Sequence, residues 1–298
     1  ITSGSTTALH ILLASAVGRK GRLLLPRCSH QSAVQAAALL DLDISWLPAG
    51  GFPEPDNLQP VPRLSLMPQV TAEDVERALR QSPDCKAILI TSPDYYGCCA
   101  DLRAIARIAH ERGILLLVDE AHGAHLAYGA GLLPESAMAA GADACVQSGH
   151  KTLPVLTQGA YLHLSAGAIA SGRLDIDCLD RLVSVFQTSS PSFPIAATLD
   201  YARACMDHFG KNAINRQITA GLDFAEKLPR ELMCQVSAGT MISQINEYRK
   251  ITRDPLRLII TSRDVHAVDM IGTIAAQLSE AGIDYEFADL TRLAFIPS

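Results

Sequence analysis

The sequence lacks the marks of membrane, secreted and nucleic-acid-binding proteins. No apolar run reaches the ~20 residues that a membrane-spanning helix needs, and no signal peptide is visible. Lysine and arginine are not clustered and the formal net charge is -6, which argues against nucleic acid because phosphate binding needs grouped cations. We therefore expect a small-molecule partner, with no nucleic-acid and no membrane partner.

The cysteines also lack the spacing of a metal or redox site. The eight of them are scattered without a Cys-x-x-Cys pair, and no His-Glu-x-x-His segment is present. Zinc ribbons, dithiol redox sites and one large class of metalloproteases are therefore not indicated. Free thiols in a chain of this length are typical of a reducing compartment, so a cytoplasmic location is expected.

What is present is a long alternation of strand and helix patterns. The chain has 298 residues with 48% hydrophobic and 19% charged side chains, enough for about two domains. The pattern predicts strands at residues 22–26, 43–47, 86–91, 114–118, 142–146 and 159–164, and helices at residues 8–17, 33–40, 75–81 and 101–112. Alternation of this kind implies a mostly parallel sheet between helices.

The second part of the chain has a different pattern. Helices are expected at residues 174–186 and 196–208, and residues 211–228 are expected to continue helical. A strand, a helix and a strand are expected at residues 256–261, 265–281 and 284–288. Residues 48–70 are rich in proline and glycine and predict a loop. We predict an α/β fold with a large domain at residues 1–195. Linking helices and part of a smaller C-terminal α/β domain are expected at residues 196–298.

An acid and a lysine follow two of the predicted strands. Asp119 comes directly after the apolar run 114–118, and Lys151 follows the run 142–146. In open α/β sheets the chemistry gathers at the carboxyl ends of the strands, so these side chains should share one site. An amine that binds an aldehyde and an acid that keeps a pyridine nitrogen protonated are what pyridoxal 5'-phosphate (PLP) requires. The pair therefore suggests PLP as cofactor.

Two further features are ambiguous when taken alone. Ser3-Gly4-Ser5-Thr6 leads into the first helix, where exposed N–H groups and the helix dipole suit a phosphate, although a simple helix cap would have the same sequence. His30 lies just after a strand and is equally typical of a loop or capping residue. Both positions remain open between a structural and a functional role.

Four histidines allow an alternative interpretation as a metal site. Asp119, His122 and His125 would approach one ion if their segment were helical, and His150 and His163 lie further along the chain. However, Gly123 interrupts the segment and its position after a strand favours a loop. We therefore predict no metal.

Several blocks together resemble a known family. The chain is similar to the bacterial Orn/Lys/Arg decarboxylases, PLP enzymes of the aspartate-aminotransferase fold (fold type I), over almost all of residues 1–200 and more thinly over 254–296. The blocks are Thr2-Ser3-Gly4-Ser5-Thr6, Arg27-Cys28-Ser29-His30-Gln31-Ser32, Thr91-Ser92-Pro93-Asp94-Tyr95-Tyr96-Gly97, Val118-Asp119-Glu120-Ala121-His122-Gly123-Ala124-His125, Gln147-Ser148-Gly149-His150-Lys151-Thr152-Leu153-Pro154-Val155-Leu156-Thr157-Gln158-Gly159 and Gln187-Thr188-Ser189-Ser190-Pro191-Ser192.

The resemblance implies a role for each candidate residue. Lys151 would bind the cofactor as a Schiff base, Asp119 would pair with the pyridine nitrogen, and His122 would lie near the phenolic oxygen. Ala121 would pack on one face of the ring and His30 on the other, where His30 could also guide the substrate carboxylate. The phosphate would be bound by Ser3, Gly4, Ser5, Thr6, Ser148 and His150.

The resemblance also implies a homodimer or higher homo-oligomer with shared active sites, in which Ser189 or Ser190 reaches the partner's cofactor. The expected activity is that of a lyase, the α-decarboxylation of lysine, arginine or ornithine to carbon dioxide and a polyamine-type amine. Another PLP enzyme, an aminotransferase or a lyase of a different kind, remains an alternative. A non-catalytic relative that kept the fold is a second one.

Some positions depart from the family pattern. Ser3 and Cys28 stand where Asn is usual, Gln31 where Lys is usual, and Asp94 and Gly149 where Thr is usual. Asp94 is expected to add negative charge near the cofactor. The N-terminal arm and the longer C-terminal domain of the family are expected to be missing.

Overall fold

The computed structural model describes residues 1–47, 70–129, 131–234, 252–262, 270–289 and 292–296. The predicted loop at residues 48–70 lies outside these ranges except for its last residue. Among the helices in the described ranges, none combines the length and the apolar character needed to cross a bilayer.

A seven-stranded sheet forms the centre of the fold. Its spatial order is β1-β8-β7-β6-β4-β2-β3. Strands β3, β2, β4, β6 and β7 are parallel, β8 pairs antiparallel with β7, and the edge strand β1 pairs antiparallel with β8. The predicted mostly parallel α/β sheet is therefore confirmed. The strands are β1 (Thr2–Ser3), β2 (Arg22–Pro26), β3 (Asp43–Leu47), β4 (Ala87–Thr91), β6 (Leu115–Asp119), β7 (Ala144–Ser148) and β8 (Gly159–Leu164).

The central strands are apolar on both faces because helices cover both faces. Leu116 and Val118 of β6 belong to one buried cluster, and Leu115 and Leu117 belong to the other. The helices of this part are α1 (Ser5–Ala16), α2 (Gln31–Leu39), α3 (Ala72–Gln81), α4 (Leu102–His110), α5 (Gly149–Thr152), α6 (Ala166–Ala170) and α7 (Ile176–Phe186), with a 3-10 turn at Leu126–Tyr128.

The helical stretches predicted at residues 196–208 and 211–228 form one helix. Helix α8 (Phe193–Glu226) has 34 residues and a proline in its first turn. Gly210 does not interrupt it, because this glycine is buried where the helix meets Tyr128: a Cβ at position 210 would lie 3.1 Å from the Cβ of Tyr128. Glycine is unfavourable inside a helix, and close packing against the neighbouring segment compensates for this loss of stability.

A second, smaller sheet follows α8. It has the order β12-β13-β11-β9 with antiparallel neighbours, and a separate buried cluster that contains Ile260, Ile271 and Leu293. The boundary between domains at residue 195 stays a prediction. The elements are β9 (Leu232–Cys234), β11 (Leu258–Ser262), α9 (Met270–Glu280), β12 (Phe287–Ala288) and β13 (Arg292–Phe295).

A short two-stranded ladder joins the later chain to the segment that follows β4. Strand β10 (Thr252–Arg253) pairs with β5 (Cys98–Cys99), and the chain then passes so close to Gly97 that a Cβ there would lie 2.7 Å from the Cβ of Arg257. Gly97 also has φ +84°, so both its backbone conformation and the close approach require glycine. This close approach places Arg257 near the carboxyl ends of the central strands, where it contacts His122.

Candidate active site

The carboxyl ends of three central strands meet at one place. In the parallel ladder Thr91 of β4 pairs with Asp119 of β6, and Asp119 pairs with Val146 of β7. Strand β7 ends at Ser148, and α5 begins at the next residue and carries Lys151. The expectation that Asp119 and Lys151 reach a common edge of the sheet agrees with this topology.

Asp119 is a buried acid at the base of the site. Its side chain is almost inaccessible, with the residue 3% exposed, and Oδ1 accepts a hydrogen bond of 3.2 Å from the N–H of Ala121. Burial raises the pKa of Asp119, while that hydrogen bond and the positive charges of Lys151 and His30 oppose the rise. A buried carboxylate of this kind is suited to a cationic ligand group that compensates its charge.

Lys151 is half-buried, and its amine faces a histidine. The distance from Lys151 Nζ to His122 Nε2 is 3.1 Å. Burial lowers the pKa of Lys151; the negative charges of Asp119 and Glu286 oppose this shift and the charge of Arg257 adds to it. The amine is thus biased toward its neutral form, which is the nucleophilic one.

His122 also contacts a residue that the sequence did not single out. Arg257 Nη2 lies 2.6 Å from His122 Nδ1, and Arg257 is 1% exposed. Burial, with the charges of Lys151 and Arg257, lowers the pKa of His122 to about 2. His122 is therefore a neutral imidazole held between the side chains of Lys151 and Arg257.

Tyr95 was missed as well, and it forms a wall of the same site. Its ring meets the ring of His122 edge to face at 5.3 Å between centroids, and its hydroxyl donates a hydrogen bond of 3.0 Å to Glu286. Its ring also lies 4.9 Å from that of Phe287. Residues of the second sheet thereby reach the site that the first sheet builds.

The predicted phosphate loop begins α1 without a side-chain cap. Gly4 is the N-cap, with φ +89°, so the simple capping role that was the alternative for this segment does not apply. The first N–H groups of a helix have no partner within the helix. Ser5 Oγ lies 2.7 Å from Ser148 Oγ, which brings a hydroxyl from β7 to these groups.

Neighbouring residues fix this loop. The N–H of Ser3 donates to Gln187 Oε1 at 2.9 Å, and Thr6 is exposed at the start of the helix. The ring of His150 is held by a hydrogen bond of 3.0 Å between Nδ1 and the carbonyl of Gly159. Ser189 and Ser190 are exposed and lie just after Gln187.

His30 has the structural role that was its alternative. It is the N-cap of α2, and its Nδ1 accepts a hydrogen bond of 3.2 Å from the N–H of Ser32. The residue is exposed, and its charge acts on both Asp119 and His122. A capping role and a position over a bound ring are compatible, so the predicted stacking stays a prediction.

Asp94 points into its own turn. Its Oδ1 accepts hydrogen bonds from the N–H groups of Tyr96 at 2.9 Å and Cys98 at 2.8 Å. The carboxylate that was expected to disturb the cofactor therefore stabilises the turn that carries Tyr95 and Gly97, although its charge still reaches Arg257.

The four histidines of the metal interpretation have separate partners. His125 Nε2 lies 3.0 Å from Asp254 Oδ2, and His163 Nε2 lies 3.0 Å from Gln147 Oε1. Within the described ranges, no three His, Cys, Asp or Glu side chains are grouped as a metal site would need.

A cavity of about 280 Å³ lies beside the site. His125, Thr152, Asp254 and Arg257 provide polar groups in its lining, while Met206 and Phe209 of α8 are among its apolar residues. Arg257 therefore borders this cavity as well as the contact with His122.

Glu120 is a buried acid with a structural role. It is 0% exposed, and it accepts hydrogen bonds from the N–H of Ala137 at 2.7 Å and from Gln147 Nε2 at 2.6 Å. Burial raises its pKa from 4.5 to about 7, with these hydrogen bonds opposing the shift. Glu120 thus joins β6, β7 and the segment at residue 137.

A pH dependence of stability follows from Glu120. Because its pKa is higher in the folded state, its contribution to stability is fully present below about pH 4.5 and is lost as the pH rises through about 7; the loss amounts to roughly 3 kcal/mol. Glu120→Gln should remove this dependence, so the difference in unfolding free energy between variant and wild type should change between about pH 5 and about pH 8. Urea denaturation measures it, and a difference that is the same at both pH values would contradict the prediction.

Comparisons with known proteins show which sequences this chain resembles. A family model described as "Orn/Lys/Arg decarboxylase, major domain" matches residues 1–253. The chain is 33% identical to the uncharacterized protein YaaO of Bacillus subtilis over 99% of this chain and 57% of that protein, and 34% identical to an arginine decarboxylase of Halalkalibacterium halodurans over 72% and 41%. It thus spans about half the length of these relatives.

Solved structures share the fold. The Francisella novicida lysine decarboxylase LdcF superposes with a TM-score of 0.80 at 17% sequence identity, over 100% of this chain and 45% of that one. At this identity the likeness shows the fold and not the activity. Because the family model covers most of the sequence, the chain belongs to the Orn/Lys/Arg decarboxylase family.

Proposed function

We propose that this protein is a PLP-dependent decarboxylase that acts on a basic amino acid and releases carbon dioxide and a polyamine-type amine. The observation that carries the proposal is the placement of a buried acid, Asp119, and a lysine of lowered pKa, Lys151, at the same carboxyl edge of the sheet.

The residues at this edge fit the parts of the cofactor. Asp119 offers a buried carboxylate for a pyridinium N–H, and Lys151 offers a neutral amine for an aldehyde. The start of α1 and the hydroxyl pair of Ser5 and Ser148 offer donors to a phosphate. Ala121 is small and buried next to Asp119, so it leaves room for a flat ring.

When bound, PLP supplies an electron sink for the charge left on the α-carbon as carbon dioxide leaves. The chain's own residues prepare for that step. The Asp119 carboxylate would face the pyridine nitrogen of the cofactor and keep that nitrogen protonated. Lys151 holds a proton-accepting amine near the reacting atoms. Tyr95 and His122 form one wall of the site.

The substrate class is proposed from the relatives. The names of the matching proteins include arginine decarboxylase and lysine decarboxylase, so lysine, arginine and ornithine are the substrates to test. A product amine of these substrates belongs to polyamine biosynthesis.

We further propose a cytoplasmic homodimer. Large apolar side chains remain exposed on α7 and α8, with Val185 72%, Phe193 79% and Tyr201 67% exposed. These helices flank the loop of Ser189 and Ser190, which lies next to the phosphate loop through Gln187. A second copy that covers this surface would place its own chain beside the cofactor site.

The test is a visible absorption spectrum followed by product analysis. The purified protein with added PLP should show the absorbance of a cofactor bonded to lysine, and incubation with lysine, arginine or ornithine should release carbon dioxide and the corresponding amine. A keto acid as product would indicate an aminotransferase. A spectrum without turnover of any of the three would favour a non-catalytic relative.

A further inference from the structure

Three side chains form a continuous row of contacts in the candidate cofactor site. Arg257 Nη2 lies 2.6 Å from His122 Nδ1, and His122 Nε2 lies 3.1 Å from Lys151 Nζ. The contact between Arg257 and His122 spans 135 positions in the sequence. The row therefore links the second part of the chain to the lysine on α5.

The chemistry of arginine decides where the proton of His122 lies. A guanidinium has five donors and no acceptor, so the 2.6 Å contact is a hydrogen bond only if His122 Nδ1 accepts. A doubly protonated imidazole is ruled out for the same reason. His122 is thus neutral, and its single proton is on Nε2.

The proton position on His122 also decides the protonation state of Lys151. With its proton on Nε2, His122 donates to Lys151 at 3.1 Å, and an amine can accept only through its lone pair. An ammonium group has three donors and no acceptor. The contact is therefore consistent with Lys151 as a neutral amine and inconsistent with the ammonium form directed at Nε2.

Arg257 is held in place by several contacts, so it can fix these proton positions. It is 1% exposed, its N–H donates to the carbonyl of Asp254 at 3.2 Å, and the negative charge of Asp254 stabilises its guanidinium. The absence of a side chain at Gly97 admits its stem, as described above. Burial, the charge of Asp254 and the contact with Gly97 therefore hold the Arg257 side chain in one position.

We propose that Arg257 is a positioning residue that fixes the tautomer of His122, so that His122 Nε2–H donates to the Lys151 amine and keeps it neutral and ready to bond an aldehyde. The inference deepens the proposed function and rests on it for the identity of the aldehyde. Its own content, the proton positions and the state of Lys151, concerns the chain alone.

Other charges act on the same groups. Asp119 and Glu286 favour the ammonium form of Lys151, and Arg257 opposes it. His30 and His125 add positive charge near His122, which disfavours a protonated imidazole. Arg257 is thus the cation whose removal should let Asp119 and Glu286 draw a proton onto Lys151.

The experiment measures Lys151 in the full chain freed of PLP. Competitive labelling with an amine-reactive reagent across a pH series, read by mass spectrometry of the Lys151 peptide, gives the pKa of this amine. In the wild type it should titrate below the exposed lysines. In Arg257→Met the labelling of Lys151 near neutral pH should fall by about tenfold, since one nearby positive charge and the oriented donor are lost. Arg257→Lys, which keeps the charge, should retain most of the wild-type reactivity.

A second measurement reads the tautomer directly. In protein labelled with 15N-histidine, the His122 signals, assigned by their loss in His122→Gln, should show an unprotonated Nδ1 and a protonated Nε2. A proton on Nδ1, or equal labelling of Lys151 in wild type and folded Arg257→Met, would overturn the proposal.

If Arg257→Met does not fold, the pair His122→Gln and His122→Leu replaces it in the labelling assay. The glutamine amide can accept from Arg257 and donate to Lys151, so its Lys151 should stay more reactive than that of the leucine variant; equal reactivity would overturn the proposal. These readouts are independent of turnover. A neutral Lys151 without decarboxylation would contradict the proposed function alone, and decarboxylation with an ordinary Lys151 would contradict this inference alone.

Discussion

Replacing Lys151 with alanine is expected to abolish both the visible absorbance of the PLP-loaded protein and the proposed decarboxylase activity. The reason is that the half-buried amine of Lys151, lowered in pKa and directed at His122, has the reactive position in this site. Losing the nucleophile removes the covalent route rather than weakening one contact, so activity should fall by several orders of magnitude. Absorption spectra and carbon dioxide release measure the two effects.

Lys20 provides the matched control. Its side chain is 72% exposed and lies 4.0 Å from Asp41, a surface contact of little energetic value. Lys20→Ala should therefore keep the spectrum and the turnover of the wild type. If Lys151→Ala also kept its turnover, the assignment of Lys151 as the reactive amine would be wrong.

Replacing Asp119 with asparagine is expected to weaken PLP binding and to lower the rate by ~100-fold or more, because a preorganised charge in a buried site is usually among the largest catalytic contributions. The substitution is isosteric, and its Oδ1 can still accept from the N–H of Ala121. What is removed is the charge that would hold a pyridine nitrogen protonated. Titration with PLP and rates at saturating PLP separate the two losses.

Stability distinguishes this effect from unfolding. Burial raises the pKa of Asp119, so the charged form is disfavoured in the folded chain and a neutral side chain should not lower the unfolding free energy. Asp84→Asn, at an exposed carboxylate on the opposite end of the sheet's strands, should change neither binding nor rate. Loss of activity together with loss of folding in Asp119→Asn would remove the support for a specific role.

Local patterns were enough to find the two central residues. Asp119 and Lys151 follow apolar runs that had to be buried strands, and the carboxyl ends of such strands meet by the rules of parallel sheets. The helix predicted at residues 101–112 is present as α4, and it buries Leu102, Ile105 and Ala109, which recur at helical spacing.

Long-range contacts explain what the sequence did not reveal. Arg257 precedes an apolar strand and looks like a solvated charge at its start, yet a ladder to β5 and the close passage by Gly97 bury it. Gly210 lies inside α8, and its packing against Tyr128 is likewise not visible in the sequence. Asp94 was expected to add negative charge near the cofactor, but its Oδ1 accepts hydrogen bonds from the N–H groups of its own turn. Each of these depends on a neighbour or a backbone conformation that periodicity does not encode.

The position of Arg257 has a consequence for protein engineering. The family match ends at residue 253, yet Arg257 lies beyond it and contacts His122, which in turn contacts Lys151. A chimaera joined at residue 253 would exchange Arg257 together with the rest of the downstream segment. Crossover points for recombination among relatives should therefore lie after residue 257, so that the lysine and the cation that governs its neighbour are inherited together.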